Sequence, residues 1–204
     1  YKTHAKMLQV LLREDGGYRR YCHLGTGNYH PRTTRFYTDF GLLTSHEEIN
    51  ADVNEVFKQL TGLGKANVLR HLWQAPFTLH SNALAAIRAE TEAARAGRKG
   101  YIIAKMNSLV EPEIIETLYE ASQAGVQVEL IVRGSCILRP GVKGLSDNIR
   151  VRSIIGRFLE HSRIFYFHAD GAENLYLSSA DWMERNFFRR IEVSFPILDP
   201  KLKR

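Results

Sequence analysis

"THAKM" (residues 3–7) and "EHSRIF" (residues 160–165) each hold a His, one spacer and a cation: His4-x-Lys6 and His161-x-Arg163. Both stretches read as strands, where residues two apart share a face. Each His and its cation therefore point the same way. Each is followed by a strand that ends in small residues and an Asx, "GTGN" (25–28) in the first half and "SSAD" (178–181) in the second. Laid side by side without gaps, "GTGNYHPRTTRFYTDFGLL" and "SSADWMERNFFRRIEVSFP" place Asn28 opposite Asp181, Tyr29 opposite Trp182, Arg32 opposite Arg185 and Asp39 opposite Glu192. One such match can arise by chance. Two His-x-cation strands, two small-residue ends and a shared continuation imply two related α/β units meeting face to face, with both histidines converging on one site.

Working outward, "KMLQVLLRE" and "YRRYCHLGTGN" flank "DGG", a hairpin signal. "TSHEEINADVNEVFKQLTG" predicts a helix capped by Thr44 or Ser45, with Glu47 or Glu48 completing a capping box, and ended by Gly62. "LTGLGKANVLRHLWQAPFTLH" reads as a connection plus a short apolar segment. We set a domain boundary there, giving 1–71 as the C-terminal part of a first domain and 72–204 as a second domain truncated at its C-terminus. Ser81 is the expected cap of a second helix, "NALAAIRAETEAARAG". "YIIAKMN" predicts a strand, and "EPEIIETLYEASQAG" a helix with Pro112 in its first turn. "VQVELIVRG", "IRVRSII", "SRIFYFH", "NLYLSSAD" and "RIEVSFPIL" are further strands. Strand–helix–strand order with apolar strands predicts an α/β fold, each unit a mixed sheet flanked by helices.

The chain has 204 residues, enough for one larger or two small domains, and no apolar run approaching the ~18 residues of a membrane helix. It begins directly on a strand-like pattern without Met, which reads as a fragment of a longer protein. Cys22 and Cys136 lack metal or redox spacing and suit a reducing compartment. The net charge of +6 is a modest excess that concerns anionic partners rather than fold.

The paired motifs resemble the phospholipase D superfamily, with His-x-Lys followed by Gly-Ser-x-Asn. The superfamily Asp five residues after the Lys is absent, since Leu11 and His168 stand there. Longer stretches, among them "HLGTGNYHPRTTRFYTDFGLLT", "FLEHSRIF", "NLYLSSADWMERN" and "RRIEVSFPILDPKLK", resemble the bacterial, His-phosphorylated polyphosphate kinases along essentially the whole chain. That resemblance implies two phospholipase D-like catalytic domains and reversible transfer of the ATP terminal phosphate to inorganic polyphosphate through a phosphohistidine. It implies ATP/ADP and polyphosphate as partners, no nucleic acid, a homo-oligomer for the full-length protein, and a cytoplasmic location with peripheral membrane association. Mg²⁺ would accompany the nucleotide. No carboxylate cluster here forms a protein-only cage for it, so its protein ligands are expected outside these residues.

By the same resemblance His4 is the phosphorylated nucleophile, with Lys6 holding an ammonium against the phosphoryl group. Gly25, Thr26 and Gly27 let backbone N–H groups approach phosphate, and Asn28 adds a neutral amide donor. Tyr37, Arg133 and His161 contact ATP, and His161 is also a candidate acid or base. Arg35, Arg163, Arg189 and Arg190 are placed on the polyanion path. Asp181 is expected to accept from the His161 ring and favour its imidazolium, leaving the phosphoryl group to His4. Two alternatives stay open: a phospholipase D-like phosphodiesterase or nuclease, and a non-catalytic polyanion-binding module.

Overall fold

The computed structural model describes residues 1–62 and 68–203. Its strands are β1 (Lys2–Thr3), β2 (Lys6–Glu14), β3 (Gly17–Gly25), β4 (Tyr37–Thr38), β5 (Gly41–Thr44), β6 (Trp73–Ala75), β7 (Tyr101–Met106), β8 (Gln127–Val132), β9 (Ile149–Arg152), β10 (Leu159–Glu160), β11 (Arg163–Phe167), β12 (Asn174–Ser178) and β13 (Arg190–Pro196). The helices are α1 (Glu47–Leu60), α2 (Leu79–Arg95), α3 (Pro112–Gln123) and α4 (Glu184–Phe188). The predicted connection between the units runs partly through residues 63–67, which lie outside the described residues.

An eight-stranded mixed sheet runs β1-β13-β12-β11-β7-β8-β9, with β6 also on β13. The β7–β8–β9 ladder is parallel, while β7–β11–β12–β13 is antiparallel. Its side chains alternate as a pleated strand requires. Phe165 and Phe167 on β11 pack with Leu79, Ile87, Ile114 and Leu118 of α2 and α3. Ile164 faces the opposite side, where Leu177, Val193 and Phe195 meet Ile49 and Val53 of α1 and Leu24 of β3. The first unit, a three-stranded antiparallel sheet β2-β3-β5 with α1, thus shares a core with the second.

The DGG hairpin forms as expected, Glu14 pairing with Gly17, whose φ of 124° suits glycine. α3 starts on Pro112, with the Glu111 carboxylate accepting from the Ile114 amide at 2.7 Å. Two caps differ from expectation. His46, not Thr44 or Ser45, caps α1, its ring accepting from the Ile49 amide. α2 begins at Leu79 after Thr78, and Ser81 turns its hydroxyl back to the Thr78 carbonyl.

Candidate active site at the junction of the two units

The two His-x-cation motifs do not lie within unbroken strands. Each occupies a two-residue break between a two-residue strand and a longer one: His4-Ala5 between β1 and β2, His161-Ser162 between β10 and β11. The short strands cross over. β1 of the first unit pairs in parallel with β13 of the second, and β10 of the second with β4 of the first. At each break two consecutive amides donate to one carbonyl of the opposite unit. His4 and Ala5 donate to Ile191 O at 2.9 Å each, His161 and Ser162 to Thr38 O at 3.3 and 3.0 Å. Two donors against one acceptor is the pattern of a bulge, which re-aims the side chain it carries. Thr38 and Ile191 are opposite numbers in the gapless repeat.

The next residue along each receiving strand is a carboxylate, and it takes the histidine. His4 Nδ1 lies 2.8 and 2.9 Å from the two Glu192 oxygens. His161 Nδ1 lies 2.9 and 3.0 Å from those of Asp39. Behind each carboxylate stands a hydroxyl from the small-residue end. Thr26 donates to Asp39 at 2.7 Å and accepts from the Phe40 amide at 3.0 Å. Ser179 donates to Glu192 and accepts from the Val193 amide at 3.1 Å. Asn186 adds a third donor to Glu192, at 2.6 Å. The Asp39–Glu192 alignment is thus a structural equivalence, and these carboxylates are site residues that sequence reasoning passed over. Gly27 also gains a specific cause: a Cβ there would lie 2.0 Å from Asp39 Oδ2.

Lys6 and Arg163 are buried and donate to the carbonyls of their own histidines, Lys6 to His4 O and Arg163 Nη1 to His161 O at 2.8 Å. Burial lowers the Lys6 pKa to about 8, with the charge of Glu192 opposing it and that of Arg163 adding to it. Arg163 is therefore not a surface guanidinium. Its Nε and Nη2 each sit 3.1 Å from an Asp181 oxygen, and Nη1 sits 3.1 Å from His161 Nε2 and 3.4 Å from Thr26 O.

Asp181 thus does not take the His161 ring, contrary to expectation. It is engaged by Arg163 and by the Asn107 amide at 2.7 Å. Burial pushes its pKa up, but the Arg163 charge and these hydrogen bonds outweigh that and hold it below the usual carboxylate range. The imidazolium expected at His161 is not favoured either: burial lowers its pKa, outweighing the hydrogen bond to Asp39.

Other predicted residues separate. The Tyr37 ring packs against His161 with centroids 4.9 Å apart. It lines a cavity of about 260 Å³ with Asn28, Asp39 and His23. Arg133 follows β8, donating from Nε to Asn107 Oδ1 at 2.9 Å and to Glu160 O at 3.1 Å. It lines a different cavity, with Phe36, Ile154 and Phe158. Arg190 opens β13 opposite Lys2, near enough to Lys6 to lower its pKa. Arg35 is exposed in a 3-10 turn, and Arg189 is exposed and paired with Glu184. Among the described residues no cluster of three His, Cys, Asp or Glu side chains could hold a metal ion, and no helix is long and apolar enough to cross a membrane.

Residues 1–66 match the family profile "Polyphosphate kinase C-terminal domain 1" and residues 72–204 match "Polyphosphate kinase C-terminal domain 2". The chain is 64% identical over its whole length to a polyphosphate kinase of Burkholderia ambifaria and 62% identical to one of Neisseria meningitidis serogroup B, spanning 30% of each. The crystal structure of polyphosphate kinase from Porphyromonas gingivalis superposes with a TM-score of 0.93 at 39% identity, covering 98% of this chain and 31% of that one. Two profiles in tandem and identity above 60% from end to end lead to one conclusion: this chain belongs to the polyphosphate kinase family, as its C-terminal region.

Proposed function

We propose that this chain forms the catalytic centre of an enzyme that reversibly transfers the terminal phosphate of ATP to inorganic polyphosphate, with the phosphoryl group carried on His4. The observation that carries this is the exchange of carboxylates: each histidine has its Nδ1 against an acid from the other unit, with a buried cation two residues on. A neighbouring carboxylate selects the tautomer with Nδ1–H. At His4 this leaves the Nε2 lone pair for phosphorus. That lone pair attacks the terminal phosphorus of ATP; the N–P bond forms, the bond to the bridging oxygen breaks, and ADP leaves with that electron pair. A terminal oxygen of polyphosphate then attacks the same phosphorus, and the N–P pair returns to Nε2.

The two histidines differ in their surroundings. Arg163 Nη1 lies 3.1 Å from His161 Nε2, whereas no hydrogen bond to His4 Nε2 is formed among the described residues. The cation beside His161 is neutralised by Asp181, while Asn28, at the equivalent position, brings no charge to Lys6. Lys6 therefore keeps its charge for an incoming phosphoryl group. His161, beside Arg163, suits an acid or base at the transferred phosphate, with Tyr37 and Arg133 holding the nucleotide. Asp39 and Glu192 are both committed to histidines, so the described residues do not fit a protein-held Mg²⁺, and no step is assigned to one.

The test uses the full-length parent protein. Incubation with ATP, digestion at neutral to alkaline pH and mass spectrometry should find phosphate on the peptide carrying His4, and polyphosphate should discharge it. Phosphate on the His161 peptide, or its persistence in His4→Ala, overturns the assignment. Hydrolysis of a generic phosphodiester without transfer from ATP overturns the activity.

A further inference from the structure

The His161 break is held from the end of β7. Asn107, 6% exposed at the end of β7, is the meeting point of four contacts. Its Oδ1 accepts from Arg133 Nε at 2.9 Å, and its Nδ2 donates to His161 O at 3.3 Å. Its amide donates to Asp181 Oδ1 at 2.7 Å, and its carbonyl accepts from the Gly134 amide at 2.7 Å. A Cβ on Gly134 would lie 2.8 Å from that carbonyl, so the backbone after Arg133 is drawn against Asn107. Two residues earlier, Lys105 holds the other half of the break, donating to the Ser162 hydroxyl at 2.7 Å and carbonyl at 3.1 Å. The end of β7 thus grips both residues of the break.

We infer that Asn107 is a positioning residue that couples the Arg133 guanidinium to His161, so that nucleotide held by Arg133 sets the histidine in place. This rests on the activity proposed above. Among the described residues Arg133 hydrogen-bonds only through Nε, to Asn107 and Glu160 O, leaving Nη1 and Nη2 for an anion. Among the described residues the Asn107 side-chain amide is the one group that touches both the arginine and the histidine carbonyl. An amide suits this place because it accepts from one side and donates to the other. A carboxylate keeps the first contact and sets oxygen against oxygen at the second. Among the described residues this link is formed at His161, and it makes His161 a histidine that responds to nucleotide.

The test uses the full-length parent protein, with KM for ATP and kcat measured for Asn107→Ala, Asn107→Asp, Arg133→Ala and Asn107→Ala/Arg133→Ala. Asn107→Ala should raise KM for ATP about tenfold and lower kcat. The double variant should be no worse in KM than Arg133→Ala alone, because residues acting through one contact are non-additive. Asn107→Asp, nearly isosteric, should keep KM within about threefold and lower kcat about tenfold. Additive KM effects, or wild-type kcat in Asn107→Asp, overturn the coupling. Should Asn107→Ala fail to fold, Asn107→Asp still decides it. A wild-type protein that transfers no phosphate refutes the proposed activity, whereas active wild type with insensitive variants refutes only the coupling.

Discussion

Replacing Glu192 by Gln removes one charge and almost no volume. Glu192 is fully buried and collects three donors: His4 Nδ1 at 2.8 Å, Asn186 Nδ2 at 2.6 Å and the Ser179 hydroxyl. A glutamine has one acceptor oxygen for this crowd, and its NH₂ must face one of the donors. A hydrogen bond to a charged group contributes about 1.5–3 kcal/mol. If the lost contact is the one to His4, the ring loses its fixed orientation. At about 1.4 kcal/mol per tenfold, formation of phosphohistidine should then slow about 10–150-fold. Rapid-quench measurement of phosphate transfer from labelled ATP to the full-length protein, stopped at alkaline pH, reads this rate. Asp39→Asn is the matched control: it disturbs His161, so phosphate should still be found on His4 while turnover falls. A Glu192→Gln protein that melts near the wild-type temperature and phosphorylates His4 within about threefold of the wild-type rate would refute the orienting role.

Arg133→Ala should weaken ATP by about 1.5–3 kcal/mol and cost about 1–3 kcal/mol of stability, because it leaves the buried Asn107 Oδ1 without its donor; isothermal titration together with calorimetry checks both halves. Gly27→Ala should cut turnover more than tenfold and destabilise by about 1–3 kcal/mol, because the new Cβ displaces the Asp39 carboxylate from His161; normal turnover in this variant would disprove the close approach. Lys6 gives a pH signature. Its folded pKa of about 8 lies below the 10.5 of a free lysine, so between these the unfolded chain binds more protons and stability rises with pH. The rise is at most about 3 kcal/mol and should vanish in Lys6→Met. Transfer activity moves the other way, falling above pH about 8 as the ammonium is lost, and a flat profile through pH 9 would remove Lys6 from the chemistry.

Much of the fold could be read from pattern because local chemistry agreed with tertiary need. β11 alternates Phe165 and Phe167 with Ile164 and Tyr166 and has a buried face on each side. α3 has Pro112 and Glu111 where a helix start wants them. Where two candidates competed locally, pattern chose wrongly: Ser81 resembles a cap, but its hydroxyl bonds back to the Thr78 carbonyl inside a helix already begun. Among the described residues the first unit's strands β2, β3 and β5 form an antiparallel sheet, and β1 joins the eight-stranded mixed sheet.

The site was legible as a repeat and illegible as a network, for a physical reason. The strands that make it, β1, β4 and β10, are two residues long, too short for any period to show. They are held by partners far along the chain, as Leu159 is by Tyr37. Asp181 drew attention because it ends the motif that follows His161. Yet Asp181 turns to Arg163, and the acid on His161 comes from the other unit. The crossing has a consequence for how the units depend on each other. Neither histidine has its Nδ1 partner within its own unit, so an isolated unit would leave its imidazole without orientation, and the second unit would leave the buried Glu192 carboxylate without its imidazole partner, a costly state for a charge. Catalytic competence and docking of the units are thus one event, and a perturbation that separates β4 from β10 should disable His161 without touching a catalytic side chain.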